Sequence, residues 1–375
     1  MHRRPRLLGS LAFLALPLMA ACDLSGPQSA MDPAGPVAQA QRDIFMWTFW
    51  LSWVVMILVA GVLGYSIWRF RARSRAERSE LPTQTHGNMQ LELAWTIVPV
   101  ILVILVAVPT VRTIFSTENV IDRSQYTEDD VIVRATGYQW WFKFEYPREG
   151  FVTANEMVIP VGRRVIVELD AADVLHSFWV PNLAGKRDMI PGQDNQVWFS
   201  ADRPGTFYGQ CAELCLGAHA YMRFRVIAME EDDYQAWIDA FQRGAELTQQ
   251  VSGDQQVQLG RQLMAQKGCI GCHTVDGFYP GVEVGNPDYP DLTNFGRRTT
   301  VGAALRDNTP ENLAAWLRDP QALKPGNRMP TLWSSDDPEA EREIEAVVAY
   351  LLSLGVETAE TEETAASLGG NHGDR

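Results

Sequence analysis

Four of the five cysteines fall into two close pairs, each with a histidine at hand. The run Cys211-Ala-Glu-Leu-Cys215-Leu-Gly-Ala-His219-Ala-Tyr-Met222 places two thiols, an imidazole and a thioether in one short segment. Soft donors of this kind favour copper or zinc over magnesium or calcium. A mononuclear blue-copper site uses one Cys, two His and a weak Met, so the second Cys needs a role of its own. Two thiolates can bridge two copper ions. With Cys211 and Cys215 shared, one copper would take His219 and the other the isolated upstream His176, leaving Met222 and the carbonyl of Glu213 as weak outer ligands. A zinc site or a disulfide is the competing reading.

The second constellation, Cys269-Ile-Gly-Cys272-His273, has the spacing of c-type haem attachment, in which two thiols take the vinyl groups and the adjacent imidazole reaches the iron. A redox dithiol or half of a zinc site has the same pattern. Met329 is the only Met after His273, and a thioether opposite His raises an iron potential toward that of an electron carrier. The remaining histidines, His2, His86 and His372, lie in an N-terminal export signal, between two apolar segments and in the tail.

These sites need an anchor and two scaffolds. Residues 1–22 combine Arg3, Arg4 and Arg6 with an apolar run and small residues before Cys22, as in a lipoprotein signal, with Cys22 as the lipidated residue. A segment 23–43 follows, on the outer side. The uncharged stretches Ile44–Trp68 and Leu93–Val111 are each long enough to span a bilayer, giving a hairpin over 44–115. Its loop, 69–92, is rich in Arg and therefore cytoplasmic, so all that follows faces outward. Between 116 and 245 β-branched and aromatic runs alternate with Pro and Gly turns, which predicts a β-sandwich or barrel. A Gln, Ser and Gly linker over 246–253 leads to an all-α domain over 254–355, with helical spacing at Val257–Ala265, Pro310–Leu317 and Ile344–Leu352. Residues 356–375 form an acidic tail with the composition of a disordered segment. A net charge of −14 argues against nucleic acid and for basic proteins or a membrane complex as partners.

Residues 44–228 resemble cytochrome c oxidase subunit II in the segments LELAWTIVPVIL, GYQWWFKFEY, DVLHSFWVPNLAGKRDMIPG and CAELCLGAHAYM. The resemblance implies a cupredoxin-like copper A domain with His176, Cys211, Glu213, Cys215, His219 and Met222 as ligands, and a magnesium ion touched by the Glu213 side chain. It implies that electrons enter at Trp140, against the alternative of a packing aromatic. It also makes Glu92 the entrance of a proton pathway, against that of an interfacial carboxylate. Two departures stand out. The family's usual GHQWYW is Gly137-Tyr138-Gln139-Trp140-Trp141-Phe142 here, and the Arg common after IPG is Gln193.

Residues 254–355 resemble a class I cytochrome c, with Cys269, Cys272, His273 and Met329 holding haem c. Fusion of the two domains points to the caa-type branch of the haem-copper oxidases in a bacterial inner membrane. The resemblance implies a path from a cytochrome c or a cytochrome bc complex through haem c and copper A to haem a in subunit I, where oxygen is reduced and protons are pumped. No oxygen-reducing residue is expected in this chain. The alternatives are the corresponding subunit of a copper A nitric oxide reductase and, from a different class, a membrane-tethered copper carrier.

Overall fold

The two uncharged stretches form helices α1 (Pro36–Phe70) and α2 (Met89–Thr117), longer at both ends than the charge-free runs predicted. The structure, a computed structural model, describes residues 25–74, 84, 86–249, 253–334 and 336–356; Cys22 and the acidic tail beyond 356 lie outside them. At about 1.5 Å per residue each helix exceeds the ~30 Å of a bilayer's hydrocarbon core. Their side chains are apolar all round and exposed, as at Ile57, Leu58 and Val103, the pattern of a surface made for lipid.

Within the hairpin, Pro109 lacks the N–H that would bond the carbonyl of Leu105. Trp47 Nε1 donates to that carbonyl at 3.1 Å, so the α1 tryptophan satisfies the group that the α2 proline leaves open. Helices α1 and α2 from Gln39 to Asn119 form one compact unit, and the remaining described chain forms a second.

The second unit begins with a sandwich of two five-stranded sheets. The first contains β1 (Val131–Tyr138), β2 (Trp141–Tyr146) and β3 (Phe151–Ala154). Next come β4 (Glu156–Pro160), β5 (Val165–Ala171), β6 (His176–Trp179), β7 (Arg187–Met189), β8 (Asn195–Phe199), β9 (Gly205–Cys211) and β10 (Arg223–Met229). The sheets run β3-β2-β1-β5-β8 and β4-β10-β9-β6-β7, with β1–β5 and β4–β10 parallel and the other pairs antiparallel. Phe142, Phe144, Phe178, Phe199 and Phe224, all nearly or fully buried, interdigitate between the sheets. Phe224 lies 4.7 Å from both Phe142 and Phe178, centroid to centroid.

Helix α3 (Glu231–Gln242) packs Trp237 and Phe241 onto Phe151 at the sandwich edge. The expected linker is in part a helix, α4 (Gly244–Gln249), whose Thr248 is buried. The all-α domain follows with α5 (Gln255–Gln266), α6 (Pro310–Arg318), α7 (Pro320–Leu323) and α8 (Ala340–Ser353). Thr309 caps α6 through its hydroxyl, which accepts from Asn312 N. Gly260 lets α5 meet α8: a Cβ there would lie 2.0 Å from the Ala346 carbonyl oxygen. A two-stranded hairpin, β11 (Thr300–Val301) with β12 (Arg306–Asp307), interrupts the helices and carries no sequence pattern of its own.

Tyr146 holds β2 to β4 inside the core: its hydroxyl accepts from Val158 N and donates to Val158 O, both at 2.8 Å. Tyr146→Phe leaves both backbone groups buried without a partner, and the sandwich should lose about 1–3 kcal/mol. Thermal unfolding followed in the near ultraviolet would measure it, and an unchanged midpoint would show that the core re-satisfies Val158.

Candidate metal and haem centres

Strand β9 ends on Cys211, and the loop to β10 returns to within hydrogen-bond reach, Cys211 N donating to Met222 O at 2.9 Å. Strand β6 pairs with β9 and begins with His176, which brings that distant imidazole to the loop. Gly137 on β1 makes room for the ring, since a Cβ there would lie 2.8 Å from His176 Cδ2. The two sulfurs stand 3.8 Å apart, too far for a disulfide. Cys211 Sγ is 3.8 Å from His176 Nδ1 and 3.2 Å from the Glu213 carbonyl oxygen. Cys215 Sγ is 3.4 Å from His219 Nδ1 and 3.8 Å from Met222 Sδ. These separations match the edges of a tetrahedron around a metal bound at about 2.3 Å to sulfur, so the donor set fits two metals sharing two thiolates.

Electrostatics prepares the donors. The hydrogen bond from Cys215 and that from His176 hold the Cys211 thiol down at about 3, against its burial. Sharing that proton with Cys211 pushes Cys215 in the opposite direction. Burial presses the His176 imidazole down, and its bonds to Cys211 and Asp173 outweigh burial and raise it. His176 Nε2 faces Asp173 Oδ1 at 2.8 Å, which turns Nδ1 toward the sulfurs, a carboxylate-to-imidazole support typical of metal ligands. Asp173 carries no motif and was not singled out in the sequence.

The remaining expected residues fall into place differently. The Cys215 carbonyl accepts from Trp140 Nε1 and Gln139 Nε2, each at 3.0 Å. Trp140 is half-buried: Lys324 Nζ donates to its carbonyl and the Arg328 guanidinium lies 6.0 Å from its ring centroid, so it is not a free surface aromatic. The Glu213 carboxylate pairs with Lys186 Nζ at 3.2 Å, and nothing among the described residues supports a magnesium ion there. Tyr138 stacks on Trp141 and Phe142 packs in the core, which gives the altered aromatic segment a packing role. Gln193 is exposed, its backbone N–H closing a turn onto Ile190 O. Glu92 sits in the first turn of α2, where a helix N-terminus favours a carboxylate.

In the helical domain Gly268 ends α5 at a φ of +77°, and a tight turn carries Cys269 to Gly271. His273 follows, its Nδ1 facing the Pro290 carbonyl oxygen at 2.8 Å. That bond fixes the tautomer and leaves Nε2 for an iron, while burial holds the imidazole below its usual range and therefore neutral. Cys269, Cys272, His273 and Met329 line one cavity. Met329 is held on both sides, its N–H donating to Asn327 Oδ1 and its carbonyl accepting from Gln321 Nε2. Arg298 lines the same cavity, nearly fully buried, with an Nε that has no partner. A buried, open guanidinium nitrogen suits a propionate carboxylate, so the lining fits a haem.

Comparison with known proteins gives matches along most of the chain. Residues 26–113 match the family described as cytochrome c oxidase subunit II, transmembrane domain, and residues 151–229 its periplasmic domain. Residues 257–355 match the cytochrome c family. A cytochrome c oxidase subunit 2 from Alkalihalophilus pseudofirmus is 41% identical over 92% of this chain and 96% of that protein. Its counterpart from Bacillus subtilis is 33% identical over 88% of this chain and 92% of that protein. The periplasmic domain of subunit II of cytochrome oxidase from Bradyrhizobium japonicum is 34% identical, covering 31% of this chain and 96% of that structure with a TM-score of 0.30.

Asp173→Ala removes the support of His176 Nε2 without touching a ligand, and copper affinity should fall about 10- to 100-fold. Competition against a chelator measures it; an unchanged affinity would mean that the β6 backbone alone orients the ring.

Proposed function

Because this chain belongs to the cytochrome c oxidase subunit II family, we propose that it is the subunit through which electrons enter a membrane-bound terminal oxidase. The observation that carries this is the pair of buried thiols 3.8 Å apart, flanked by two imidazoles, in the same compact unit as a Cys-x-x-Cys-His haem site. When bound, copper A and haem c supply one-electron carriage, in the order external cytochrome c or bc complex, haem c, copper A, then haem a of subunit I.

The protein's part is to hold and tune. Cys211 and Cys215 would hold the copper pair together with His176 and His219, and Met222 and the Glu213 carbonyl would be its weaker ligands. Such a frame, pinned by backbone bonds on both sides, limits the movement that accompanies electron transfer. Cys269 and Cys272 would attach the haem, and His273 and Met329 would hold its iron. Subunit I is the partner that reduces oxygen and pumps protons, with Glu92 at the cytoplasmic entrance of a proton path. The sandwich and haem domains face the outside of a bacterial inner membrane, with Cys22 as a lipid anchor. Burial of Cys211, Cys215 and His176 to 5% exposure or less disfavours a carrier that exchanges copper with a partner. Consumption of oxygen rather than nitric oxide by the purified complex tests the oxidase reading itself.

Met329→Ala should keep the haem covalently attached and lower its midpoint by about 100 mV or more, because a thioether ligand raises the potential. Redox titration checks this, and an unchanged midpoint with an intact sulfur-to-iron charge-transfer band would remove Met329 from the iron. His273→Ala should slow copper reduction by an external cytochrome at least about tenfold, since a tethered donor works at a high local concentration. Flash reduction reads the rate, and reduction as fast as in the unaltered chain would overturn the series order.

A further inference from the structure

The cavity lined by Cys269, Cys272, His273 and Met329 is not closed by its own helices. The sandwich supplies one wall, with Gln139, Trp140, Trp141 and Asn155 lining it. The loop that carries Met329 is fastened to this wall at successive points. Lys324 Nζ donates to the Trp140 carbonyl at 2.5 Å. Arg328 Nη2 donates to Gln139 Oε1 at 2.9 Å and lies 3.7 Å from Asp173 Oδ2.

Between them Gly326, at a φ of +81°, faces the copper loop with room for a methyl: a Cβ there would be 3.6 Å from Ala218 N and 3.7 Å from the Gly217 backbone. Gly217 in turn leaves space for the indole, since a Cβ at that position would lie 2.1 Å from Trp140 Cζ2. The methionine loop and the copper loop therefore both meet Trp140.

A second fastening lies on β4. The Glu156 carboxylate accepts from the backbone N–H and hydroxyl of Thr299 and from the hydroxyl of Thr300. Thr300 lines the cavity itself, and Thr299 follows Arg298 of the lining. Lys324 is only 4% exposed, and burial brings its ammonium down to about 7. A lysine is not kept out of water without a reason, since its long chain ordinarily reaches solvent. Here its head is spent on a backbone carbonyl of the other domain.

We propose that the haem c site is a composite of both domains, in which the sandwich clamps the Met329 loop through Trp140 and Gln139 and the opposite wall at Thr299 and Thr300 through Glu156, and so sets how firmly Met329 holds the iron. The proposal rests on the haem reading above. An iron–thioether bond is weak enough that the freedom of the loop carrying it decides whether the sixth position stays closed. Clamping the loop from outside the haem domain makes that freedom a property of docking.

The test uses the full membrane-extracted chain with haem and copper bound. Gln139→Ala and Glu156→Leu alter only the sandwich, far in sequence from the haem segment. Each should weaken the sulfur-to-iron charge-transfer band, lower the haem midpoint and speed carbon monoxide binding to the reduced haem several-fold. Arg328→Ala should act in the same direction as Gln139→Ala, and the two together should cost less than the sum of the two, because they share one contact. Arg328→Lys should retain most of the effect of the contact. Unchanged band, midpoint and carbon monoxide binding in both sandwich variants, with haem attached and copper present, would overturn the composite site. Failure of the haem reading itself would look different: the unaltered chain would carry no covalent haem.

Discussion

Two thiols have to be kept out of water and 3.8 Å apart whether or not the neighbouring charges favour it, and much of the sandwich is arranged around that constraint. The loop between β9 and β10 is too short and too irregular to hold them unaided. Its ends are locked by the bond from Cys211 N to Met222 O, and its middle by the Cys215 carbonyl, which takes donors from Trp140 and Gln139 at once. Two glycines then matter for the space they leave, Gly137 beneath the His176 ring and Gly217 beneath the Trp140 indole. A methyl group at either would meet the ring at less than 3 Å, so the ligand frame and the strands behind it are specified together.

The chemistry was legible in the sequence because metal and haem sites declare themselves by residue type at short spacing. Cys211 to Met222 and Cys269 to His273 are local runs, and the membrane spans and strands are read from hydropathy and alternation. What supports those residues was not legible. Asp173 beside His176 and the Pro290 carbonyl beside His273 are ordinary loop groups until folding brings them to an imidazole. Nothing in the apolar run around Trp47 tells that its nitrogen serves the Leu105 carbonyl that Pro109 abandons. Lys324 carries no signal in the sequence and is buried against Trp140, a partner 184 positions away. No period or spacing rule reaches across such a distance. The segment expected as linker is partly helix α4, whose Gly244 and Thr248 are buried, which composition alone does not reveal.

The contact between the two redox domains differs in kind from their interiors. Each has its own apolar core, the phenylalanine cluster of the sandwich and the Leu, Ile and Val cluster between α5 and α8, and the two clusters do not merge. What joins them is mostly polar: Lys324 on Trp140, Arg328 on Gln139, the two threonines on Glu156, Arg225 on the Ala304 carbonyl and Asn294 on the Phe241 carbonyl. Hydrogen bonds of this sort contribute about 0.5–3 kcal/mol each, because folding exchanges bonds to water for bonds within the protein. As a surface between separate molecules such a seam would be weak. Within one chain the tether raises the local concentration enough that weak bonds suffice to dock the domains. A seam built this way keeps the two apolar cores separate among the described residues while the haem cavity still draws its wall from both domains.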